Sequence, residues 1–216
     1  MINVVNELQI DRIFYPVKTL GYGSRIAIWT IGCHHACYNC SNPELWKKQP
    51  EKDISLKKLF ETFELIKGAV DGLTISGGEP FEQPEELYEL VREFSENYSQ
   101  DILIYSGYTM EQLQNKNNPV IDGILSTIAV LIDGKYIEKL NDNLPLRGSS
   151  NQRIHLLKHS YRDRYLPLLE GNRTVQTIIN QDELFTIGIP VKGYRDYLEV
   201  NLNKQYGIQM SGTDER

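Results

Sequence analysis

Residues 25–40 read RIAIWTIGCHHACYNC. The apolar, β-branched run Arg25–Ile31 has the length and composition of a buried strand. It ends at Gly32 and opens into a loop that holds all 3 cysteines of the chain, Cys33, Cys37 and Cys40. None is left over for a disulfide framework. Thiolates at C-x3-C-x2-C spacing converge readily on one soft metal centre. An iron–sulfur cube normally takes four thiolates, so three would leave one iron open to a ligand. Cysteines at these positions would also share a stripe of a helix, where free cysteine packs well. Gly32, Asn39, Ser41, Asn42 and Pro43 favour turns over helix and speak against that reading. Zinc remains a rival, because His34 or His35 could complete a Cys3His set. The spacing does not require either histidine, and both read more naturally as polar loop residues.

Strand and helix patterns alternate downstream. Leu56, Leu59, Phe60, Phe63 and Ile66 recur at helical spacing, with Gly68 placed to end the helix. Leu73–Ile75 predicts a strand that runs into Ser76-Gly77-Gly78-Glu79-Pro80. Pro84 then opens a helix with Leu87, Leu90, Val91 and Phe94 on one face. Ile102–Tyr105 predicts the next strand, and Thr109-Met110-Glu111-Gln112 has the form of a capping box. Thr127–Ile132 predicts another strand, ending in Asp133-Gly134-Lys135. Strand–helix alternation implies an α/β fold with a parallel sheet and right-handed crossovers. Ligands of such sheets gather at the carboxyl ends of the strands, where all of these polar features fall.

The last third reads differently. Arg147–Gln152 is a polar turn. Thr174–Asn180, Phe185–Ile189 and Tyr197–Leu202 predict strands joined by short turns. The expected organisation is a core over 1–158 and a β-rich extension over 159–216, with a soft boundary near Lys158. The apolar runs of the extension are too hydrophobic for a disordered tail and should pack on the core.

A chain of 216 residues can bury a sizeable core. A net charge of −6 argues against a nucleic-acid surface. No apolar run approaches the ~20 residues needed to cross a bilayer. Met1–Asp11 lacks the basic and apolar regions of a secretory leader. Clustered free thiolates suit a reducing cytoplasm.

The turn at Ser76, Gly77, Gly78 and Glu79 has glycines that let backbone approach a ligand and a carboxylate that could pair with an ammonium. It is equally readable, by itself, as an ordinary Gly-Gly turn. Asp133 and Lys135 share a face of an extended segment and could hold a zwitterion or form a solvated surface pair. Arg147–Gln152 could bind a polar ligand or serve only as a turn.

The C-x3-C-x2-C loop followed by Gly-Gly-Glu-Pro resembles the radical S-adenosylmethionine superfamily. Gly21–Arg25, Gly32–Cys40, Asn42–Trp46, Ser106-Gly107-Tyr108, Val130–Tyr136 and Arg147–Gln152, in that order, resemble the anaerobic ribonucleotide reductase activating enzymes across about residues 12–158. Many superfamily members carry an aromatic residue before the third cysteine. Asn39 stands there instead and favours the narrower family. The resemblance implies a partial (βα)6-type barrel. It also implies a [4Fe-4S] cluster on Cys33, Cys37 and Cys40, with S-adenosylmethionine chelating the fourth iron. One electron then cleaves the S–C5′ bond, and the 5′-deoxyadenosyl radical takes a hydrogen from a glycine of a large glycyl-radical reductase. Gly77, Gly78 and Glu79, with Ser76 and Ser106 beside them, would hold the methionine amine, and Asp133 and Lys135 would lie on its carboxylate side. An electron donor such as flavodoxin or ferredoxin is implied, and no catalytic residue beyond the cluster ligands. The residues past the Ser-Ser-Asn-Gln segment exceed the usual length of these activators, so a radical maturase acting on a peptide or small molecule is the alternative.

Overall fold

A computed structural model describes residues 7–180 and 183–206. Seven strands form one sheet in the order β3-β1-β2-β4-β5-β6-β7. They are β1 (Glu7–Val17), β2 (Arg25–Thr30), β3 (Asp53–Ser55), β4 (Gly72–Gly77), β5 (Ile102–Ser106), β6 (Val130–Asp133) and β7 (Arg153–Leu156). The four central strands, β2, β4, β5 and β6, run parallel. β1 and β7 flank them antiparallel. Alternation did not reveal β1, β3 or β7. Polar residues interrupt the first, and the other two are only 3 and 4 residues long. Residues 1–6 of the stretch read as carrying no leader lie outside the described residues, as do 207–216 of the extension.

The helices are α1 (Leu56–Glu64), α2 (Pro84–Asn97), α3 (Met110–Gln114) and α4 (Pro119–Thr127). α1 stops short of Gly68, which holds a left-handed turn (φ +88°) after it. The capping box is present at Thr109 and Gln112. Thr127 ends α4 rather than opening a strand, because Pro119 and the Asn118 cap start a helix whose Ile121 and Ile124 are buried. Strand residues of one parity, including Ile26, Ile28, Leu73, Ile75, Ile102, Ile104 and Leu131, pack with Leu59, Phe63, Leu87, Leu90, Phe94 and Ile124 of the helices.

The other face of the sheet carries Ala27, Trp29, Leu103, Tyr105, Val130 and Ile132. Leu146 packs on it, as do two elements of the chain beyond 158: α5 (Arg162–Leu169) and the hairpin of β8 (Val175–Asn180) and β9 (Glu183–Gly188), which α6 (Tyr194–Tyr206) follows. β8 and β9 pair antiparallel, as expected of those runs. Tyr197–Leu202 is a correction: it lies within α6 and is not a strand. Tyr194, Tyr197, Leu198 and Asn201 fit helical spacing as well as Leu198, Val200 and Leu202 fit alternation, and β8–β9 extends no ladder to this segment. The described part of the extension is therefore mixed rather than β-rich.

Contacts across this seam are apolar with a few fixed polar ties. Ile187 is buried against Val17, Leu20, Ala27 and Trp29. Phe185 packs at a tilt on Phe14, ring centroids 5.0 Å apart, and Phe14 is edge-on to Trp29. Gln176 bridges the Lys18 N–H (3.2 Å) and the Pro16 carbonyl (2.9 Å). Arg173, almost wholly buried, donates to the carbonyls of Leu144, Pro190, Arg147 and Gly148. At the amino ends of the parallel strands, Arg25 is buried against Asp101 (3.0 Å), Thr74 and the Leu73 carbonyl. The Tyr165 hydroxyl donates to that same Asp101 at 2.7 Å, so α5 completes a buried polar cluster that would otherwise face the seam.

Candidate iron–sulfur site

The site lies at the carboxyl ends of the parallel strands, and backbone hydrogen bonds stitch its loops together. The Gly78 N–H donates to the Thr30 carbonyl (2.8 Å) and the Glu79 N–H to the Gly32 carbonyl (2.7 Å). The Gly134 N–H donates to the Tyr108 carbonyl at 3.0 Å. Asn39 of the cysteine loop donates to Glu138 at 3.1 Å. The loops after β2, β4, β5 and β6 thus form one continuous rim.

The cysteine loop is held open by local conformation. Gly32, Ala36 and Asn39 have positive φ (+96°, +45° and +56°), which bends the loop sharply at three places, and its ends are tied by the Gly32 N–H to the Leu45 carbonyl (2.8 Å) and the Cys33 N–H to the Trp46 carbonyl (3.0 Å). Cys40 Sγ accepts from the Asn42 N–H at 3.4 Å, while the His35 and Ala36 N–H groups lie near Cys33 and the Tyr136 N–H near Cys37. Burial nevertheless pushes the Cys33 thiol up to about 11; the His35 and Ala36 N–H groups offset part of this, and the charges of Glu79 and Glu82 add to it. Burial also raises Cys37, partly offset by the Tyr136 N–H and the nearby Lys135 ammonium. Loading a metal must therefore displace protons from these thiols.

Each histidine has one ring nitrogen engaged by a carboxylate. The His35 Nε2 lies 2.9 Å from Glu79, and the His34 ring and N–H both bond Glu82. Among the described residues no three His, Cys, Asp or Glu side chains stand close enough to share one ion. Three soft thiolates carried on one loop, with no fourth cysteine in the chain, fit a cube held at three irons.

The matches to known proteins agree. Residues 19–155 match the family described as "4Fe-4S single cluster domain". The chain is 31% identical over 153 residues to the anaerobic ribonucleoside-triphosphate reductase-activating protein of Escherichia coli K12, spanning 67% of this chain and 97% of that protein. The chain belongs to this activating-protein family. Its relative from phage T4 is 30% identical over 151 residues, 68% of this chain and 93% of that one. The pyruvate formate-lyase-activating enzyme of Staphylococcus epidermidis is 27% identical over 143 residues, 64% and 56% of the two chains. The solved structure of Escherichia coli QueE matches 48% of this chain and 54% of that one, with TM-score 0.42 and 19% identity. The family match stops at residue 155, before α5, so α5 and the β8–β9 hairpin on the inner sheet face lie outside it.

The other expected site residues divide into two groups. Gly77, Gly78 and Glu79 adjoin the cysteine loop, but their glycines answer first to protein, not ligand. A Cβ at Gly77 would stand 2.3 Å from the Thr30 nitrogen, and one at Gly78 2.3 Å from the Gly32 carbonyl oxygen. The Glu79 side chain is turned inward and fully buried. It accepts from Ser106 Oγ (2.9 Å) and the Gly107 N–H (2.7 Å), so Ser106 acts here as a brace for Glu79. The Ser76 carbonyl accepts from the Thr30 hydroxyl at 3.2 Å.

Asp133 and Lys135 diverge. Asp133 is buried and accepts from the Met110 N–H (2.6 Å) at the start of α3 and from Arg153 (2.8 Å). His155 Nε2 lies 2.9 Å away but out of line for a hydrogen bond. Burial works to raise the Asp133 carboxyl, and Arg153, the Met110 N–H and His155 outweigh it, leaving it below the ordinary carboxylate range. Its oxygens are occupied by the fold. Lys135 is exposed beside Cys37. Arg147–Gln152 is a brace: Gln152 bridges the Gly148 N–H and the Gly134 carbonyl, both at 2.8 Å, and Asn151 holds the Lys135 carbonyl at 2.8 Å. The sequence reading quoted Tyr136 only within the Val130–Tyr136 motif and missed Glu138 as a rim residue, which nothing in its local pattern marks.

Proposed function

We propose that this protein is a radical S-adenosylmethionine activating enzyme that generates a glycyl radical on an anaerobic ribonucleoside-triphosphate reductase. The observation that carries the reading is a three-cysteine loop joined by the Gly78 and Glu79 N–H groups, through the Thr30 and Gly32 carbonyls, to the Gly-Gly-Glu turn. A [4Fe-4S] cluster held by this loop would supply the electron for reductive cleavage of S-adenosylmethionine, the source of the radical that would take a hydrogen from the partner's glycine. Cys33, Cys37 and Cys40 would hold three irons. The turn at Ser76–Glu79 would present backbone to the methionine end, and Lys135 would offer the charge facing its carboxylate. Asp133 would position α3 and Arg153 rather than touch the ligand.

The four parallel strands, with helices on one face, support a partial barrel of the (βα)6 type. In this reading residues 1–158 form the catalytic core and 159–216 an extension that closes the inner face. The setting would be the cytoplasm, with flavodoxin or ferredoxin as electron donor and no nucleic-acid partner. No described helix is long and apolar enough to cross a membrane.

The test is anaerobic incubation of reconstituted protein with S-adenosylmethionine, dithionite and the reductase, read by electron paramagnetic resonance. A glycyl doublet on the reductase together with 5′-deoxyadenosine is expected. 5′-Deoxyadenosine without a reductase radical would move the assignment to a maturase of a peptide or small molecule, a reading that the added cover over the inner face favours.

A further inference from the structure

Glu79 poses a problem for a site that must hold an ammonium. Its carboxylate is fully buried and accepts four donors: Ser106 Oγ, the Phe81 N–H, the Gly107 N–H and His35 Nε2. A carboxylate has about four lone-pair sites, so none remains for a ligand. Three donors come from the turn itself and the end of β5. The fourth alone comes from the cysteine loop.

His35 is built into that position. Its side chain is only 4% exposed. Its ring lies against Gly107, where a Cβ would stand 2.2 Å from Cδ2. Tyr108 meets it edge-on at 4.8 Å and His34 packs at 4.3 Å. The Nε2 bond to Glu79 fixes the ring's orientation, because the buried Nδ1 has no partner. A buried polar atom left unpaired carries a cost, so the contact kept at that cost is the one to Glu79.

Resting on the function proposed above, we infer that His35 is a positioning residue. By holding Glu79 from the cysteine loop, it fixes the Ser76–Glu79 backbone relative to the cluster, and so sets S-adenosylmethionine binding without being a cluster ligand. The ligand's ammonium is then held by backbone carbonyls of this turn, and Glu79 serves as the anchor beneath them.

Two amide variants separate this role from simple folding. In H35Q the amide nitrogen reaches roughly the place of Nε2; in H35N it falls short. Each is reconstituted with iron and sulfide, iron content and Tm are measured, and S-adenosylmethionine is titrated against the signal of the reduced cluster. H35N should keep full iron and a cooperative unfolding transition, with a lowered Tm, yet bind the ligand about tenfold more weakly or worse, the scale of one lost charged hydrogen bond. H35Q should bind close to wild type. Adding H35N to E79Q should weaken binding no further than E79Q alone. Wild-type affinity in H35N, equal loss in both variants, loss of iron in H35N, or additive effects with E79Q would each overturn the inference. A wild-type signal unmoved by S-adenosylmethionine would instead overturn the proposed function.

Discussion

The rim and the inner-face seam lie on the same sheet but are built differently. At the rim, loops are joined by backbone N–H groups and buried carboxylates, the cysteines stay half-exposed, and His35 keeps an unpaired nitrogen. At the seam, Ile187 and Tyr165 are almost fully buried, and the Arg173 donors end on carbonyls, although the Tyr105 hydroxyl there also lacks a partner. Apolar burial is non-directional and scales with area, so the seam holds by mass of contact. The rim holds by direction, which lets it keep donors aimed at a group the chain does not itself supply. Stability and chemistry should therefore separate under mutation.

The largest effect expected is from deleting everything after Lys158. Ala27, Trp29, Leu103 and Val130 would lose their cover, and Asp101 its Tyr165 partner. The shortened chain should accumulate as insoluble protein. A soluble product that still activates the reductase would show the seam dispensable and break the contrast. Next, Cys33→Ala should abolish bound iron and sulfide while the circular dichroism spectrum and Tm stay near wild type; full iron content would remove the cysteine loop from the site.

Ile187→Ala should cost about 2–5 kcal/mol through the cavity it leaves in the seam. Denaturant unfolding would show this, with iron uptake unchanged. Gly78→Ala should cost about 1–3 kcal/mol by overpacking against the Gly32 carbonyl, and here iron uptake should fall too, because Gly32 leads into Cys33. Retained iron with weaker S-adenosylmethionine binding would mean that ligand, not protein backbone, requires the glycine.

The smallest effect concerns acid. Glu111 is exposed, and its bonds to Arg153 lower its carboxyl from 4.5 to about 2. A group depressed on folding adds stability above its unfolded value and loses it as pH falls through the folded one. Glu111→Gln should leave stability at pH 7 nearly unchanged, as for exposed ion pairs, and flatten the loss between about pH 4.5 and 2. Titration of Tm against pH would detect it.

Periodicity made β2, β4, β5, α1 and α2 legible, because each buries one face of its own sequence. The short edge strands β3 and β7 were not, since their pairing depends on neighbours far along the chain. α6 was misread because its apolar residues fit two periods at once, and only the absence of a strand partner decides between them. The cysteines and the Gly77–Glu79 turn were visible as a site, since their chemistry is local.

By itself the sequence determined the α/β alternation, the three thiolates in one loop and the family that this order of motifs marks. All of these depend on residue type and near spacing. Only the tertiary structure decided that Asp133 is consumed by Arg153 and the start of α3, that Glu79 faces inward with its acceptors filled, and that the last third lies across the inner face. Those outcomes depend on which donors and apolar surfaces arrive from distant segments, and hydrogen bonds of that kind leave no periodic trace in the chain.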